Sequence, residues 1–266
     1  MRILAFFLGL LAASAANAHE LWIEPLDYTV APDASIQAAI VNGQDFAGGE
    51  VAYFPQRIAR FDLILGETTV AVTGRMGDRP ALTMAPLGDG LHIAVYQSSG
   101  DLLTYDSYAI FARFVEHKAF PRWIHRIHRD RGWPEVGFGE FYTRYSKALI
   151  AVGRGEGADQ RLGLETELVA LDNPYVGAPT EIRVQAFYQD TPRAAAQIEL
   201  FDKAPDGTVV VTYHSTDADG IVALPVTSGH SYLVDAVVLR EAAPELTAPN
   251  GAVWESLWAA LTFAVP

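Results

Sequence analysis

The chain has 266 residues, with 19 Lys and Arg, 32 Asp and Glu, and no Cys. Half of the residues are hydrophobic and 19 % are charged, a composition that excludes an intrinsically disordered chain. The net charge of −13 argues against nucleic acid as a partner, because a phosphate backbone is bound by clustered Lys and Arg. The lack of Cys excludes disulfides, thiolate metal sites and cysteine nucleophiles.

Residues 1–18 have the pattern of a secretory signal peptide. An arginine follows the initiating methionine, residues 3–11 (ILAFFLGLL) are uniformly apolar, and residues 16–18 read Ala-Asn-Ala, a small-residue cleavage signature. The apolar run is too short to span a bilayer, which takes about 20 residues. We therefore expect a periplasmic protein that begins at His19 after cleavage and has no membrane span.

The C-terminal part of the chain alternates apolar and polar residues. In residues 181–189 (EIRVQAFYQ), the apolar side chains fall on one face and the polar ones on the other, as in a half-buried antiparallel strand. Similar runs, separated by turns rich in Asp, Pro and Gly, follow at 196–201, 208–214, 221–226, 231–239 and 254–265. This spacing predicts an Ig-like β-sandwich over residues 164–266.

The N-terminal part predicts a second β-sandwich over residues 19–107. Its pattern is less regular, and its candidate strands are 21–24, 35–41, 60–65, 68–72 and 91–97. Residues 108–152 are expected to be a helical and aromatic insertion that completes this first module, with a helix between Pro121 and Gly132. The glycine-rich segment 153–163 is the predicted linker. The predicted fold is mainly all-β, with two Ig-like sandwich modules.

His19 is the main candidate for chemistry. As the first residue of the processed chain, it would offer its α-amine and its imidazole to one metal ion. Nitrogen donors of this kind suit Ni, Co, Cu or Zn, whereas Mg and Ca require oxygen. His92 is the preferred second ligand, because Leu91, Ile93 and Val95 should face the core and leave His92 on the opposite face. The alternative is that His19 is merely where cleavage occurs.

Two other groups of residues have simpler interpretations. His125 and His128 lie three positions apart on the predicted helix and could bind a metal together, with His117 as a further ligand. Four arginines surround them and oppose a cation, so a solvated basic helix is the favoured interpretation. Trp254 and Trp258 share one face of the final strand and suggest a sugar-binding platform. A buried terminal strand is the favoured interpretation, because both faces of that strand are partly apolar.

The sequence contains none of the common catalytic motifs. It has no G-x-S-x-G, P-loop, H-E-x-x-H or G-x-G-x-x-G pattern. This favours a binding protein over an enzyme.

Several blocks of sequence resemble an uncharacterised family of bacterial exported proteins. They are HELWIEP (19–25), GFGEFYTRYSKALIAVG (137–153), GLETELVALDNPY (163–175), TDADG (216–220) and WESLWAALTF (254–263). Members of that family are often labelled periplasmic components of cobalt or nickel uptake. The resemblance implies β-sandwich modules, a part in metal uptake, and His19 as the matching ligand.

The sequence as a whole predicts a periplasmic protein that binds Ni, Co or Cu through His19 and His92. It would assist uptake or delivery, with a metal transporter of the inner or outer membrane as its partner. The main alternative is a metal-free β-sandwich module that recognises a glycan or an envelope protein. A copper monooxygenase that uses His19 and a further His is a third hypothesis.

Overall fold

The protein's structure is a computed structural model, and it describes residues 19–266. The segment predicted to be a signal peptide lies outside these residues. The N-terminal half is built from β1 (Glu20–Pro25), β2 (Thr29–Val30), β3 (Ile36–Gln44), β4 (Ala47–Val51), β5 (Ile58–Leu65), β6 (Thr68–Ala71), β7 (Leu82–Met84), β8 (Gly90–Ser98) and β9 (Asp101–Tyr105).

The remainder contains both helices and strands. The helices are α1 (Tyr108–His117), α2 (Trp123–Asp130) and α3 (Pro244–Asn250), and the strands are β10 (Phe138–Val152), β11 (Thr166–Ala170), β12 (Glu181–Tyr188), β13 (Thr191–Pro192), β14 (Gln197–Lys203), β15 (Val209–Ser215), β16 (Ile221–Pro225), β17 (Ser231–Glu241) and β18 (Ala252–Ala264). The prediction of a mainly β protein of sandwich type is confirmed.

A long central sheet joins the two halves of the molecule. Its strands follow the order β15-β14-β17-β18-β10-β8-β5-β6, while β2 and β9 also pair with β10. A smaller sheet contains β1, β3, β4 and β7, and another contains β11, β12, β13 and β16. The three sheets therefore form layers, with the central sheet in the middle.

Alternation of side chains along β8 explains why both faces of the central sheet are covered. Leu91, Ile93 and Val95 belong to the core beneath the β11–β12 sheet. Ala94 and Tyr96 belong to the core beneath the β1–β3 sheet. Since each face packs against its own outer sheet, β8 is buried along most of its length.

Strand β10 lies where the sequence predicts a helical and aromatic insertion. It pairs in parallel with β18, from Gly139 opposite Ala252 to Ala148 opposite Thr262. On its other edge it pairs antiparallel with β9 and β8. The predicted insertion therefore supplies the strand that connects both halves of the sheet.

The two helices that follow β9 cover one end of the central sheet. Phe111 and Phe114 of α1 and Ile124 of α2 pack with Trp254 and Trp258 of β18 in an aromatic core. Both tryptophans are buried, so the interpretation of a buried terminal strand is confirmed.

Among residues 19–266, no helix has the length and apolar character that crossing a membrane requires.

Replacing Leu149 with alanine tests the shared core. Leu149 is fully buried on β10, and truncation of such a side chain costs about 2–5 kcal/mol. We expect one unfolding transition in urea, shifted to lower concentration, with tryptophan fluorescence and far-UV circular dichroism giving the same midpoint. Val70→Ala on the exposed strand β6 is the matched control and should shift the midpoint little. Two separate transitions would contradict a shared sheet.

Candidate functional site

The most concentrated group of buried charges surrounds Lys118, and we call Glu20, Lys118, Glu199 and Asp235 the Lys118 cluster. The Lys118 ammonium lies 3.4 Å from Glu20 Oε1, 2.9 Å from Glu199 Oε1 and 3.1 Å from Asp235 Oδ2. All four side chains are buried. Because isolated charges are costly to bury, the three carboxylates and the ammonium depend on one another.

Four separate elements bring the Lys118 cluster together. Glu20 begins β1, and Lys118 follows the last residue of α1. Glu199 of β14 and Asp235 of β17 face each other as a cross-strand pair. The ring of Trp258 lies 4.7 Å from the Lys118 ammonium and forms an aromatic wall beside the charges.

Proton affinities in the Lys118 cluster differ from one carboxylate to the next. Burial, together with Glu199 and Glu20, raises the pKa of Asp235 to about 7. Although burial acts against it, His117 and Lys118 hold the pKa of Glu199 below its usual value. Burial also opposes the charge of Lys118, but its three acidic neighbours raise the pKa of the ammonium. Lys118 is therefore charged at neutral pH.

An exposed edge of this cluster carries two histidines. His117 Nε2 lies 3.6 Å from Glu199 Oε1, and about half of the His117 side chain is exposed. The neighbouring Glu199 carboxylate raises the pKa of His117. His19 is exposed and immediately precedes the buried Glu20, whose Oε2 has no hydrogen-bond partner among residues 19–266. His117 therefore lies beside the Lys118 cluster, and His19 is joined to the cluster through the adjacent residue Glu20.

The ammonium of Lys118 decides what the buried carboxylates can bind. One oxygen from each of Glu20, Glu199 and Asp235 lies within 4.8 Å of the others, a spacing that also suits a metal ion. However, Lys118 is within hydrogen-bonding or ion-pair distance of all three. The Lys118 ammonium therefore already occupies the position that a metal ion would take between these carboxylates.

The structure does not bring His92 to His19. Glu20, the neighbour of His19, bonds to Lys118, which lies beside Trp258. Trp258 is opposite Arg144 of β10. His92 is opposite Ile150, much further along the same strand. Arg144 and Ile150 are six residues apart on β10, which corresponds to about 20 Å. This separation is far larger than the distance between two ligands of one ion.

His92 also lacks a free nitrogen. Its side chain does face away from Leu91 and Ile93, as the alternation predicts, but that face is buried too. The Leu87 amide donates to Nε2, and Nδ1 lies 3.2 Å from the Gly90 carbonyl oxygen. Burial lowers the pKa of His92. The expectation of an open ligand at this position is therefore replaced by a neutral histidine that holds a turn in place.

The interpretation of α2 as a solvated basic helix is wrong for His128. Trp254 Nε1 donates to His128 Nδ1, and His128 Nε2 lies 3.0 Å from the carbonyl oxygen of Pro134. Burial lowers the pKa of His128. The partly buried His125 bonds instead to the Tyr108 hydroxyl. These contacts make His128 part of the aromatic core.

The sequence does not single out Lys118, Glu199 or Asp235, and it suggests His117 only as a companion of His125 and His128. A charged residue inside an otherwise apolar strand was an available signal, since Asp235 interrupts YLVDAVV and Glu199 lies in IELF. Such a residue on a buried face requires a partner of opposite charge. The partner itself could not be identified, because Lys118 comes from a distant helix end.

Comparison with known proteins identifies the family. Residues 16–240 match the family described as Domain of unknown function (DUF4198), and the chain belongs to this family. A search of the curated proteins finds no match.

Two solved structures are similar to this chain. The D0-D1 domain of Intimin has 9% sequence identity and a TM-score of 0.24, with 91% of this chain and 97% of that chain covered. A tetra-tandem repeat in the extending region of a large adhesion protein has 11% identity and a TM-score of 0.21, with 92% of this chain and 49% of that chain covered. Neither similarity carries an argument about function.

Replacing Lys118 with methionine tests the charge cluster. The change leaves three buried carboxylates without their cation, and breaking a buried ion pair in this way costs about 3–5 kcal/mol. We expect this loss in the free energy of unfolding measured by urea denaturation at pH 7. Lys203→Met is the matched control, because Lys203 is partly exposed beside Glu24 and should cost about 1 kcal/mol. Equal losses in the two variants would contradict the account of a mutually dependent cluster.

Proposed function

We propose that this member of the DUF4198 family is an exported, non-enzymatic protein that binds a divalent transition-metal ion (Ni, Co or Cu) for uptake or delivery. His19 and His117 would be its nitrogen ligands. The observation that carries the proposal is the position of His117 beside Glu199 in the Lys118 cluster, to which Glu20, the residue that follows His19, also belongs. The second imidazole is thus reassigned from His92 to His117.

Cleavage after Ala18 would give His19 two donors. Its α-amine has an ordinary pKa near 8, so it loses its proton to a metal far more readily than a lysine does. The amine and the imidazole of one residue can close a chelate ring on a single ion. Neutral nitrogen donors favour Cu, Ni and Co over Mg and Ca.

His117 has the support that metal-bound histidines usually have. Such a histidine commonly donates one ring N–H to a carboxylate, which fixes the ring and leaves the other nitrogen for the ion. The position of Glu199 beside His117 Nε2 suits this role and would leave Nδ1 as the ligand. Glu20, the residue after His19, has one carboxylate oxygen without a hydrogen-bond partner among residues 19–266, and this carboxylate would turn toward the ion to supply the third donor.

The charges of the cluster favour a cation at this edge. Three carboxylates face one ammonium, so negative charge remains in excess even when Asp235 carries a proton. Lys118 keeps the ion out of the buried centre and leaves it at the surface. A metal transporter of the inner or outer membrane is the proposed partner, since an ion held by two exposed histidines is open to transfer.

A metal-free module that recognises a glycan or an envelope protein is the alternative function. A melting temperature that no metal changes, combined with retention of the protein on an envelope glycan, would favour it.

Isothermal titration of Ni, Co, Cu and Zn into protein that begins at His19 tests the proposal. We expect His19→Ala and His117→Ala each to weaken binding at least about tenfold, since even partners outside the ligand shell contribute 10–100-fold. His214→Ala is the matched control, because His214 bonds to Thr212 on the edge strand β15. The metal affinity of this variant should match that of the wild type.

A second variant isolates the α-amine. One glycine placed before His19 keeps the imidazole but removes the chelating amine, and it should weaken binding as much as His19→Ala does. Unchanged affinity in His19→Ala and His117→Ala would refute the site. Unchanged affinity in the extended protein alone would refute the amine as a ligand.

A further inference from the structure

A pocket lies on the other side of β1, between the β1–β3 sheet and the central sheet. Its volume is about 110 Å³, several times the roughly 10–15 Å³ that one water requires on the same measure. Leu21, Ile40 and Phe54 give it apolar walls, and Arg57, Asp101 and Arg144 supply charges. Leu21 and Glu20 are consecutive residues of a strand, so their side chains point to opposite faces. The pocket is therefore distinct from the Lys118 cluster.

Arg144 is the unusual residue of this pocket. It is only 4% exposed, and its Nε and Nη1 are buried without a hydrogen-bond partner among residues 19–266. The guanidinium carbon lies 4.0 Å from the centre of the Trp258 ring and 5.1 Å from that of Tyr142. Stacking holds the group in place but leaves its in-plane N–H donors unused. Leaving buried charged donors unsatisfied costs several kcal/mol, unless a ligand bonds to them.

The buried acids near Arg144 are engaged elsewhere. Glu140 accepts hydrogen bonds from Tyr105 and Ser256. Asp235 accepts one from Lys118. These carboxylates reduce the cost of the buried guanidinium from a distance, but burial still lowers the pKa of Arg144. Glu20 also acts on Arg144 and has an unpartnered oxygen, but it forms no hydrogen bond or ion pair with the guanidinium, and its Oε1 pairs with Lys118. Among residues 19–266 no acceptor bonds to Arg144 Nε or Nη1, so an external acceptor would satisfy them.

The rest of the pocket limits the kind of acceptor. Arg57 and Asp101 are both exposed, and with Arg144 they give the lining one net positive charge. A monoanion balances this charge, whereas a phosphate dianion would be repelled by Asp101. The apolar walls favour an organic body over a bare inorganic ion. Among monoanions, a carboxylate matches two parallel guanidinium N–H groups in a planar, bidentate pair.

We propose that this pocket binds a small organic carboxylate and that Arg144 is its anchor. The carboxylate pairs with the guanidinium while its apolar part lies against Leu21, Ile40 and Phe54. The Ser98 hydroxyl accepts the Arg144 amide hydrogen and so fixes the backbone where the side chain leaves β10. A free organic acid and the carboxylate of an acidic sugar share this chemistry.

Titration of the isotopically labelled wild-type protein, followed by NMR, tests binding without any substitution. Benzoate and acetate represent free organic acids, and glucuronate represents an acidic sugar. We expect at least one of them to shift the backbone amide signals of Ser98 and Gly100, which border the pocket. Benzamide, the neutral analogue of benzoate, should shift neither signal. A stronger response to glucuronate than to benzoate would assign the carboxylate to a sugar, and the reverse would assign it to a free acid.

Substitution of Arg144 tests the anchor. Arg144→Met keeps an unbranched apolar side chain but removes the charge, and we expect at least about a tenfold loss of affinity, the effect typical of losing charged hydrogen bonds. Arg144→Lys should also bind more weakly, since a lysine cannot form the bidentate pair. Arg183→Met is the matched control at an exposed ion pair with Asp172 and should leave affinity unchanged.

Clear outcomes overturn the proposal. They are an absence of signal shifts with every carboxylate in the wild type, equal affinity for benzoate and benzamide, or tighter binding of inorganic phosphate than of any carboxylate. Equal affinity in folded Arg144→Met and wild type, with folding checked by circular dichroism, would remove Arg144 as the anchor. The carboxylate titration repeated with His19→Ala in the absence of metal should match the wild type, because His19 does not line the pocket.

Discussion

The structure depends on strand β10, which is paired on both edges and covered on both faces. It pairs in parallel with β18, and antiparallel with β9 near its start and with β8 near its end. Nearly every side chain along it is buried. A strand in this position must satisfy all of its polar groups inside the protein. The charged residues of β10 are therefore the informative ones, since each needs an internal partner or a ligand.

Lys147 and Arg144 of β10 differ in how many internal partners they have. The Lys147 ammonium lies 2.6 Å from Asp159 and 3.3 Å from Glu167, and it donates to the carbonyl oxygens of Gln160 and Leu168. Asp159 belongs to the segment that the sequence suggests as a linker, so this ion pair ties the segment to the central sheet. Arg144, three residues earlier, has no such set of partners. The same strand thus carries one buried cation with a full set of partners and one without. Because the fold can supply partners to Lys147, the unpaired donors of Arg144 favour the proposed external ligand.

The sequence predicts most strands of the central sheet and several of the outer sheets, but it misses strand β10 for a physical reason. Strands such as β12 and β16 have one exposed face, so their alternation is visible and their predicted positions agree closely with the structure. Strand β10 has no exposed face, and the alternation disappears. The aromatic and basic residues of segment 108–152 instead favour the prediction of a helical insertion. Helix α2 was predicted from its proline and glycine boundaries, whereas the burial of His128 depends on Trp254, which lies far away in the sequence.

The candidate site was harder to predict than the fold because its parts are dispersed. Strand alternation correctly placed His92 on the face opposite Leu91, but it could not indicate that a second sheet covers that face. Glu20, Lys118, Glu199 and Asp235 come from four elements, and the strand order of the central sheet determines that they meet. Single-strand patterns carry no information about this order. The charged residues Glu199 and Asp235 within apolar strands are the local signals of the cluster.

Trp258 links the two regions on either side of β1. Its ring contacts the Lys118 ammonium at 4.7 Å and the Arg144 guanidinium at 4.0 Å, and Glu20 and Asp235 act electrostatically on Arg144. Charges buried this close are weakly screened by solvent. If both proposed sites exist, an anion held by Arg144 would make the surroundings of His19 and His117 more favourable for a cation. Because coupling between two binding sites is reciprocal, a cation at those histidines would strengthen binding of the anion by the same factor.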